Sequence, residues 1–230
     1  MDLQSFFEAT AGKVVSIVVI AVILLIIMLI GRSRRKDISN DGSSASEIRY
    51  NHTDTLSLTL SAVLIAVAFV LSNIKLFSMP QGGTVTPFSM LPIAICSYLI
   101  GTRNGVMAGT ALGMVNLIVN PYVIHPLQLI LDYPLAFAAL GAGGPLRNTK
   151  LGLPGVYVVG IIGRFICSTL SGVVFFGSYA EGTGLSPLLY SVIYNGSYIG
   201  AEGILTLIII MLPPVRAAID KMKNQLDQNK

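Results

Sequence analysis

The chain has 230 residues, of which 53% are hydrophobic and only 11% are charged, and its mean hydropathy is +0.74. So few charged side chains cannot keep the surface of a soluble protein in water, which indicates that the lipid bilayer is the main solvent. A spanning helix needs about 20 apolar residues, so this length allows about six or seven spans and excludes a separate catalytic domain. The net charge of +4 does not indicate a nucleic-acid partner, because the basic residues cluster at the ends of apolar runs.

The first predicted element is a transmembrane anchor helix within residues 1–31. Its apolar run, 14–30, is uncharged, is followed at once by a basic cluster at 32–36, and has no small-residue cleavage site behind it. This pattern predicts a retained anchor rather than a cleaved signal peptide. Residues 32–54 are rich in Ser, Asn and Asp and lack apolar periodicity, which predicts a flexible cytoplasmic linker.

Six further apolar runs predict a membrane domain over residues 55–213. They are 55–77, 89–101, 105–120, 124–144, 155–177 and 188–212. The second run is short and contains Pro92, which predicts a tilted or broken helix that neighbouring protein must cover. The predicted fold class is therefore an all-α integral membrane protein, a six-helix bundle preceded by one extra N-terminal anchor helix, and residues 214–230 form a basic cytoplasmic tail.

The positions of Lys and Arg predict the topology, because these residues accumulate in short cytoplasmic loops. With the N-terminus outside, the cluster at 32–36, Arg103, Arg147, Lys150 and the basic tail all lie on the cytoplasmic side. The connecting segments 79–88, 120–125 and 178–187 then lie outside, and they contain the more unusual polar and aromatic residues. The sequence thus predicts a multi-pass protein of the cell membrane with a cytoplasmic C-terminus and a site that opens outward.

Three ionisable residues lie within the predicted helices of the membrane domain: Asp132, Arg164 and Glu202. Each costs about 2.5–3.5 kcal/mol at a helix centre, so each is a functional candidate. Asp132 lies about 12 Å from the outer end of its helix, too deep for a short carboxylate to reach water. It is either a structural ion pair with Arg164 or the counter-ion of a cationic ligand, and the position of Arg164 near the inner end favours the ligand.

Glu202 also has two interpretations. It is either a second carboxylate of the pocket or a protonated group hydrogen-bonded to a neighbouring helix, and we favour the second. Asn195 lies in the outer half of the last helix, where its amide must be bonded by the ligand or by another helix, and both alternatives stay open.

Aromatic and small residues complete the candidate surfaces. Stacking on a cation contributes about 2 kcal/mol when it is desolvated, although aromatic residues also collect at membrane interfaces for other reasons. The aromatic candidates are Tyr122, Tyr133, Tyr190, Tyr194, Tyr198, Phe175 and Phe176. Small residues recur every fourth position at Ala62 and Ala66 and at Gly105, Gly109 and Gly113, which permits close packing within the bundle or, for the alanines, docking of another subunit.

Four runs carry a resemblance to a known family. They are PQGGTVT at 80–86, PLQLILDYPLAFAALG at 126–141, SGVVFFGSYA at 171–180 and YSVIYNG at 190–196. In this order they resemble the thiamine-specific substrate-binding (S) component of energy-coupling factor (ECF) transporters. The resemblance runs from about Thr55 to Leu212 and implies a six-helix S-component fold that holds the vitamin near the outer face.

The resemblance also implies roles for individual residues. Asp132 with Tyr133 would meet the cationic thiazolium, and the ligand would also contact Tyr122, Tyr190 and Asn195. Ala62 and Ala66 would face the ECF transmembrane coupling subunit, which works with two ATPase subunits.

The chain departs from the family pattern at three places. Some members have glutamate at the position of Asp132 and histidine at that of Ser168, and they have cage tryptophans, one of which Phe176 would replace. The chain has no Trp. These changes permit weaker binding of thiamine, or binding of a related precursor or analogue.

The function predicted is therefore ATP-driven vitamin uptake together with partner subunits. The chain has no G-x-x-x-x-G-K-[ST] phosphate loop, so partners must hydrolyse the ATP. A stand-alone secondary transporter or facilitator of a small cationic metabolite is the alternative, but it predicts inverted repeats that the sequence does not show. An intramembrane enzyme would need a catalytic set, and a single intramembrane Asp without H-E-x-x-H predicts no enzyme, cofactor or metal site.

Overall fold

The computed structural model describes residues 44–228 of the chain and the side chains of residues 55–228. The predicted anchor at 1–31 and the predicted linker up to residue 43 lie outside the described residues. Residues 44–54, assigned to the linker from their polar composition, are helical. Extending an existing long helix costs no new nucleation, so a polar stretch joined to an apolar helix can continue it.

Helices make up most of the described chain, which confirms the all-α prediction. They are α1 (Ser44–Asn73), α2 (Leu91–Ile100), α3 (Thr102–Val119), α4 (Pro126–Ile130), α5 (Ala136–Ala139), α6 (Gly152–Phe175), α7 (Pro187–Met211) and α8 (Pro213–Gln228). Two short strands, β1 (Phe77–Ser78) and β2 (Thr84–Val85), form an antiparallel hairpin in which Phe77 pairs with Val85. Short 3-10 turns occupy Pro80–Gly82, Gly144–Asn148 and Gly177–Ala180.

Four stretches of the described residues are long and apolar enough to cross a membrane. They are Thr55–Asn73, Pro126–Asn148, Gly152–Phe175 and Pro187–Met211. The stretch in α1 has only 6% of its residues buried, against 28–39% for the others, so α1 lies at the periphery of the bundle. Large apolar side chains such as Val70, Ile162 and Ile204 are exposed on the outside, as a lipid-facing surface requires.

The broken helix is the fourth apolar run rather than the second. Pro92 lies in the first turn of α2, where a missing backbone N–H costs nothing, and α2 is continuous. Pro134 lies instead inside a run of helix, and a π-helical turn at Leu131–Leu135 separates α4 from α5. Proline removes a backbone N–H donor and crowds the preceding turn, so the helical hydrogen-bond pattern widens there from α to π. This widened turn contains Asp132 and Tyr133.

Two glycines of α3 allow this widened turn to approach closely. A Cβ atom built at Gly113 would lie 2.4 Å from the carbonyl oxygen of Tyr133, and one at Gly109 would lie 2.1 Å from that of Phe137. Real Cβ atoms do not approach oxygen so closely, so only glycine fits at these positions. The predicted role of this stripe in internal packing is therefore seen at Gly109 and Gly113.

The two ends of the bundle differ in chemistry. At one end, called the pocket end, the β-hairpin, residues 120–125 and residues 176–187 come together. At the other, called the tail end, α8 packs on α2 and α7, and its Lys223 bonds to Arg147 and Asn148. The tail predicted as residues 214–230 is thus helical over its described part.

Polar contacts fix α8 at the tail end. The Tyr98 hydroxyl donates to Asp220 at 2.5 Å, and Lys223 Nζ donates to the carbonyl oxygen of Arg147 at 2.8 Å. Arg147 also pairs with Asp227 at 3.0 Å. The tail end therefore gathers basic residues that the topology prediction assigned to the cytoplasm.

Candidate functional site

A cavity of about 220 Å³ opens at the pocket end of the bundle. Its wall combines the loop between β1 and β2, residues 120–122, the π-helical turn, α6 and α7. All seven candidate ligand contacts from the sequence line it: Ser168, Tyr122, Asp132, Tyr133, Phe176, Tyr190 and Asn195. Within the described residues, no group of three or more His, Cys, Asp or Glu side chains could hold a metal ion.

Asp132 lies in the pocket wall and is held by two neutral donors. Gln128 Nε2 donates to its Oδ2 atom at 2.7 Å, and Ser171 Oγ donates to the same oxygen at 2.8 Å. Within the described chain, Oδ1 accepts none of the hydrogen bonds found, so this oxygen is available to a ligand. The two donors thus orient the carboxylate, and no salt bridge to it is present among the described residues.

Arg164 also lines the pocket but does not form the structural ion pair that the sequence left open. No ion pair joins it to Asp132 among the described side chains. Its guanidinium carbon lies 4.4 Å from the ring centroid of Phe137, in a cation–π contact. Asp132 therefore remains free to act as the counter-ion of a bound cation.

Sequence reasoning missed Gln128 and Ser171, which orient Asp132. Gln128 also donates to the carbonyl oxygen of Tyr122 at 3.0 Å and accepts from the backbone N–H of Ile124 at 3.2 Å. Its position four residues before Asp132 places both on one helix face, a signal that was present in the sequence. Ser171 comes from α6, so only the fold brings it to the carboxylate.

Tyr133 uses its hydroxyl to fix the segment that carries Tyr122. The backbone N–H of Tyr122 donates to that hydroxyl at 2.7 Å, and the hydroxyl donates to the carbonyl oxygen of Asn120 at 2.9 Å. The resemblance implied a direct ligand contact for Tyr133. In the structure its ring lines the pocket while its polar atom bonds to the backbone.

An aromatic wall continues from Tyr122 across the mouth of the pocket. The ring of Phe176 stacks on Tyr122 with centroids 5.9 Å apart and on Tyr179 at 6.0 Å. The hydroxyl oxygens of Tyr122 and Tyr179 lie 3.3 Å apart. Burial, and then this hydrogen bond, raise the pKa of Tyr122 to about 12, so its hydroxyl is uncharged at neutral pH. Tyr179 was not singled out from the sequence.

Helix α7 supplies a second aromatic row. Tyr190, Tyr194 and Tyr198 follow one another at four-residue spacing, with adjacent ring centroids 6.2 Å and 5.8 Å apart. The backbone N–H of Gly83 donates to the Tyr194 hydroxyl at 2.9 Å, and that hydroxyl donates to the carbonyl oxygen of Pro80. The row therefore also fastens the loop between β1 and β2.

Asn195 joins α7 to α6. Its Nδ2 atom donates to the carbonyl oxygens of Ser168 at 3.2 Å and Ser191 at 3.0 Å, while Oδ1 accepts from the Tyr198 hydroxyl at 2.9 Å. Of the two alternatives left open for this amide, the helix–helix contact is thus present. The residue also lines the pocket.

Three further candidate residues lie away from the pocket wall. Glu202 is buried and bonds to residues 86–90, in line with the structural interpretation favoured from the sequence. It is the acceptor in all four of these bonds, however, and not the donor that the expected protonated group would be. Ala62 and Ala66 lie on the exposed face of α1.

Comparisons with known proteins agree with one another. Residues 58–221 match the model of a family described as thiamine transporter protein. The thiamine transporter ThiT of Bacillus subtilis is 33% identical over 167 residues, which cover 66% of this chain and 86% of that protein. ThiT of Lacticaseibacillus paracasei is 25% identical over 177 residues, covering 69% and 87%.

A solved structure shares the fold. ThiT from Listeria monocytogenes superposes with a TM-score of 0.60 at 24% sequence identity, covering 74% of this chain and 98% of that one. This match confirms the all-α membrane fold predicted for the membrane domain.

Proposed function

The chain belongs to the thiamine transporter protein family, and we propose that its pocket binds thiamine, or a close precursor or analogue, at the outer face of the cell membrane. It is a multi-pass membrane protein and a transport protein rather than an enzyme, as its family indicates. In this proposal it is the S component of an ECF importer, which captures the vitamin for ATP-driven uptake.

The observation that carries the proposal is the unneutralised carboxylate of Asp132 in a pocket walled by aromatic rings. Thiamine contains a cationic thiazolium ring, which needs a counter-ion when it leaves water. Oδ1 of Asp132 supplies the charge, and the faces of the surrounding rings supply stacking and cation–π contacts. A neutral vitamin would leave the buried carboxylate without a partner, so the site discriminates by charge.

The other predicted contacts support the same ligand. Tyr122 and Phe176 would cover the flat rings from the mouth of the pocket, and Tyr190 would do so from α7. Ser168 and Asn195 line the wall between α6 and α7. Because the Asn195 amide is bonded within the protein, it fixes the shape of this wall as well as offering polar atoms to the ligand.

Partners and orientation belong to the same proposal. The pocket end would face outward and the basic tail end the cytoplasm, in line with the distribution of Lys and Arg. The exposed small residues Ala62 and Ala66 on α1 would dock the ECF coupling subunit, which in turn would engage two ATPase subunits.

Calorimetric titration of the purified full chain tests the ligand. We expect thiamine to bind and riboflavin and pyridoxine not to bind. Asp132→Asn should weaken thiamine binding at least about a hundredfold, because it removes a buried counter-ion, while Glu181→Gln, which removes an exposed charge at the same end, should leave binding unchanged.

Two results would contradict the proposal. Unchanged thiamine affinity in Asp132→Asn would exclude the counter-ion role. If titration of the unsubstituted chain with thiamine produced no heat of binding, thiamine would be excluded as the ligand. Uptake into liposomes by this chain alone would favour a stand-alone transporter over an S component.

A further inference from the structure

Glu202 brings a carboxylate into the interior of the bundle, where it receives four hydrogen bonds. The residue is 3% exposed and lies on α7. Thr86 donates to Oε2 through its hydroxyl at 2.7 Å and its backbone N–H at 3.3 Å, and Oε1 accepts from Ser89 Oγ at 2.9 Å and the backbone N–H of Met90 at 3.2 Å. A carboxylate has two oxygens and about four lone-pair sites, so it matches four donors.

The need for this carboxylate follows from where α2 begins. Helix α2 has only 10 residues, and its N-terminus at Leu91 lies within the bundle, beside Glu202. The first N–H groups of any helix lack intrahelical partners, and water cannot satisfy them inside a membrane. Glu202 therefore caps α2 from another helix, by accepting from the backbone N–H of Met90 and the hydroxyl of Ser89.

The same contacts fasten part of the pocket wall. The loop between β1 and β2 and the first residue of β2 together provide wall residues 81–84. Tyr194 of α7 holds this loop at Pro80 and Gly83, and Glu202 holds the chain just after it at Thr86. Tyr194 and Glu202 are eight residues apart on α7, which corresponds to about 12 Å along the helix axis. Helix α7 therefore holds this segment at two separate positions.

We propose that Glu202 is a positioning residue for the ligand site, which keeps wall residues 81–84 in place by anchoring Thr86, Ser89 and Met90 to α7. The residue does not line the pocket, so it acts through this segment and not by contact with the ligand. The effect on ligand binding rests on the proposed function, whereas the anchoring itself does not.

Hydrogen exchange tests the anchoring on the full chain without ligand. In Glu202→Gln the side-chain amide offers a donor where the carboxylate offered acceptors, so some of the four donors lose their partner. Exchange of the backbone amides in residues 84–90 should accelerate at least about tenfold, the factor that corresponds to about 1.4 kcal/mol. Exchange elsewhere in α7 should stay unchanged.

A matched control removes a polar group of α7 that is buried like Glu202 but does not contact residues 84–90. Thr206 is fully buried one turn further along α7 and donates to the carbonyl oxygen of Glu202 at 2.8 Å. Thr206→Val should leave exchange in 84–90 unchanged. Ser89→Ala, which leaves Glu202 intact and removes one donor, should accelerate it in the same direction as Glu202→Gln.

The dissociation rate of thiamine separates a positioning role from a general folding defect, because it is measured only on molecules that still bind the ligand. Among molecules that bind thiamine with unchanged stoichiometry, Glu202→Gln and Ser89→Ala should each speed dissociation, and their effects should be less than additive when combined. Unchanged exchange in 84–90, or unchanged release from folded Glu202→Gln, would overturn the inference. If the unsubstituted chain binds no thiamine while exchange responds as expected, the ligand proposal fails and the anchoring stands.

Discussion

At the scale of residues, the hydrogen bonds of Asp132 explain how a half-buried carboxylate stays both oriented and available to a cation. Both of its protein donors, Gln128 and Ser171, are neutral and bond to the same oxygen. Donors without charge reduce the desolvation cost without supplying a competing positive charge. The nearby Arg164 is held over the ring of Phe137 instead.

This arrangement predicts a modest and specific effect of Ser171→Ala. The substitution removes one hydrogen bond to a charged group, worth about 1.5–3 kcal/mol, so the orientation of Asp132 should loosen and thiamine affinity should fall about tenfold or more. Thr169→Val is the matched control, because the buried Thr169 hydroxyl has no partner in the described structure and lies on the same helix. Titration calorimetry distinguishes the two, and equal losses in both variants would contradict the prediction.

The sequence was sufficient to find Asp132 because charge within an apolar run is rare and costly. It was not sufficient to find Ser171, since a serine in a helix is unremarkable until the fold places it beside a carboxylate. Tyr133 shows a different limit. Its ring was correctly placed in the pocket, but the bond from its hydroxyl to Asn120 depends on a loop whose conformation no periodicity reveals.

At the scale of elements, the π-helical turn is the feature that shapes the site. The lengths of the apolar runs were enough to place the helices. Predicting which run contains the interrupted helix required knowing where each helix begins. Pro92 and Pro134 both lie in apolar runs, but only Pro134 has helix before it. The hairpin β1–β2 was not predicted, because strands of two residues are too short to show an alternating pattern of apolar and polar residues.

Close packing of α3 against this turn predicts that Gly113→Ala destabilises the protein. The added methyl group would meet the Tyr133 carbonyl oxygen at 2.4 Å, and overpacking of this kind typically costs about 1–3 kcal/mol. Thermal unfolding in detergent should show a lower midpoint, together with weaker thiamine binding because the turn carries Asp132.

Gly200→Ala is the control for Gly113→Ala. Nothing lies within 4 Å of a Cβ atom at Gly200, in the interior of α7. Alanine is the better helix former, so this variant should be as stable as the unsubstituted chain or slightly more so. A midpoint that falls equally in both variants would show that the contact with Tyr133 is not the cause.

At the scale of the whole molecule, the two ends of the bundle make the topology testable. The exposed positions Glu181, near the pocket, and Lys150, at the tail end, are suitable for cysteine labelling. In intact cells, a membrane-impermeant maleimide should label Glu181→Cys, and it should label Lys150→Cys only after permeabilisation. The unsubstituted chain, with Cys96 and Cys167, gives the background. The reverse pattern would invert the proposed orientation.

The aromatic wall has a consequence for spectroscopy. The chain has nine tyrosines and no tryptophan, and six of the nine surround the pocket: Tyr122, Tyr133, Tyr179, Tyr190, Tyr194 and Tyr198. Intrinsic ultraviolet emission therefore comes from tyrosine alone and arises mainly beside the ligand site. Occupancy of the pocket can be followed as a change in that emission, with no label and no brighter fluorophore to obscure it.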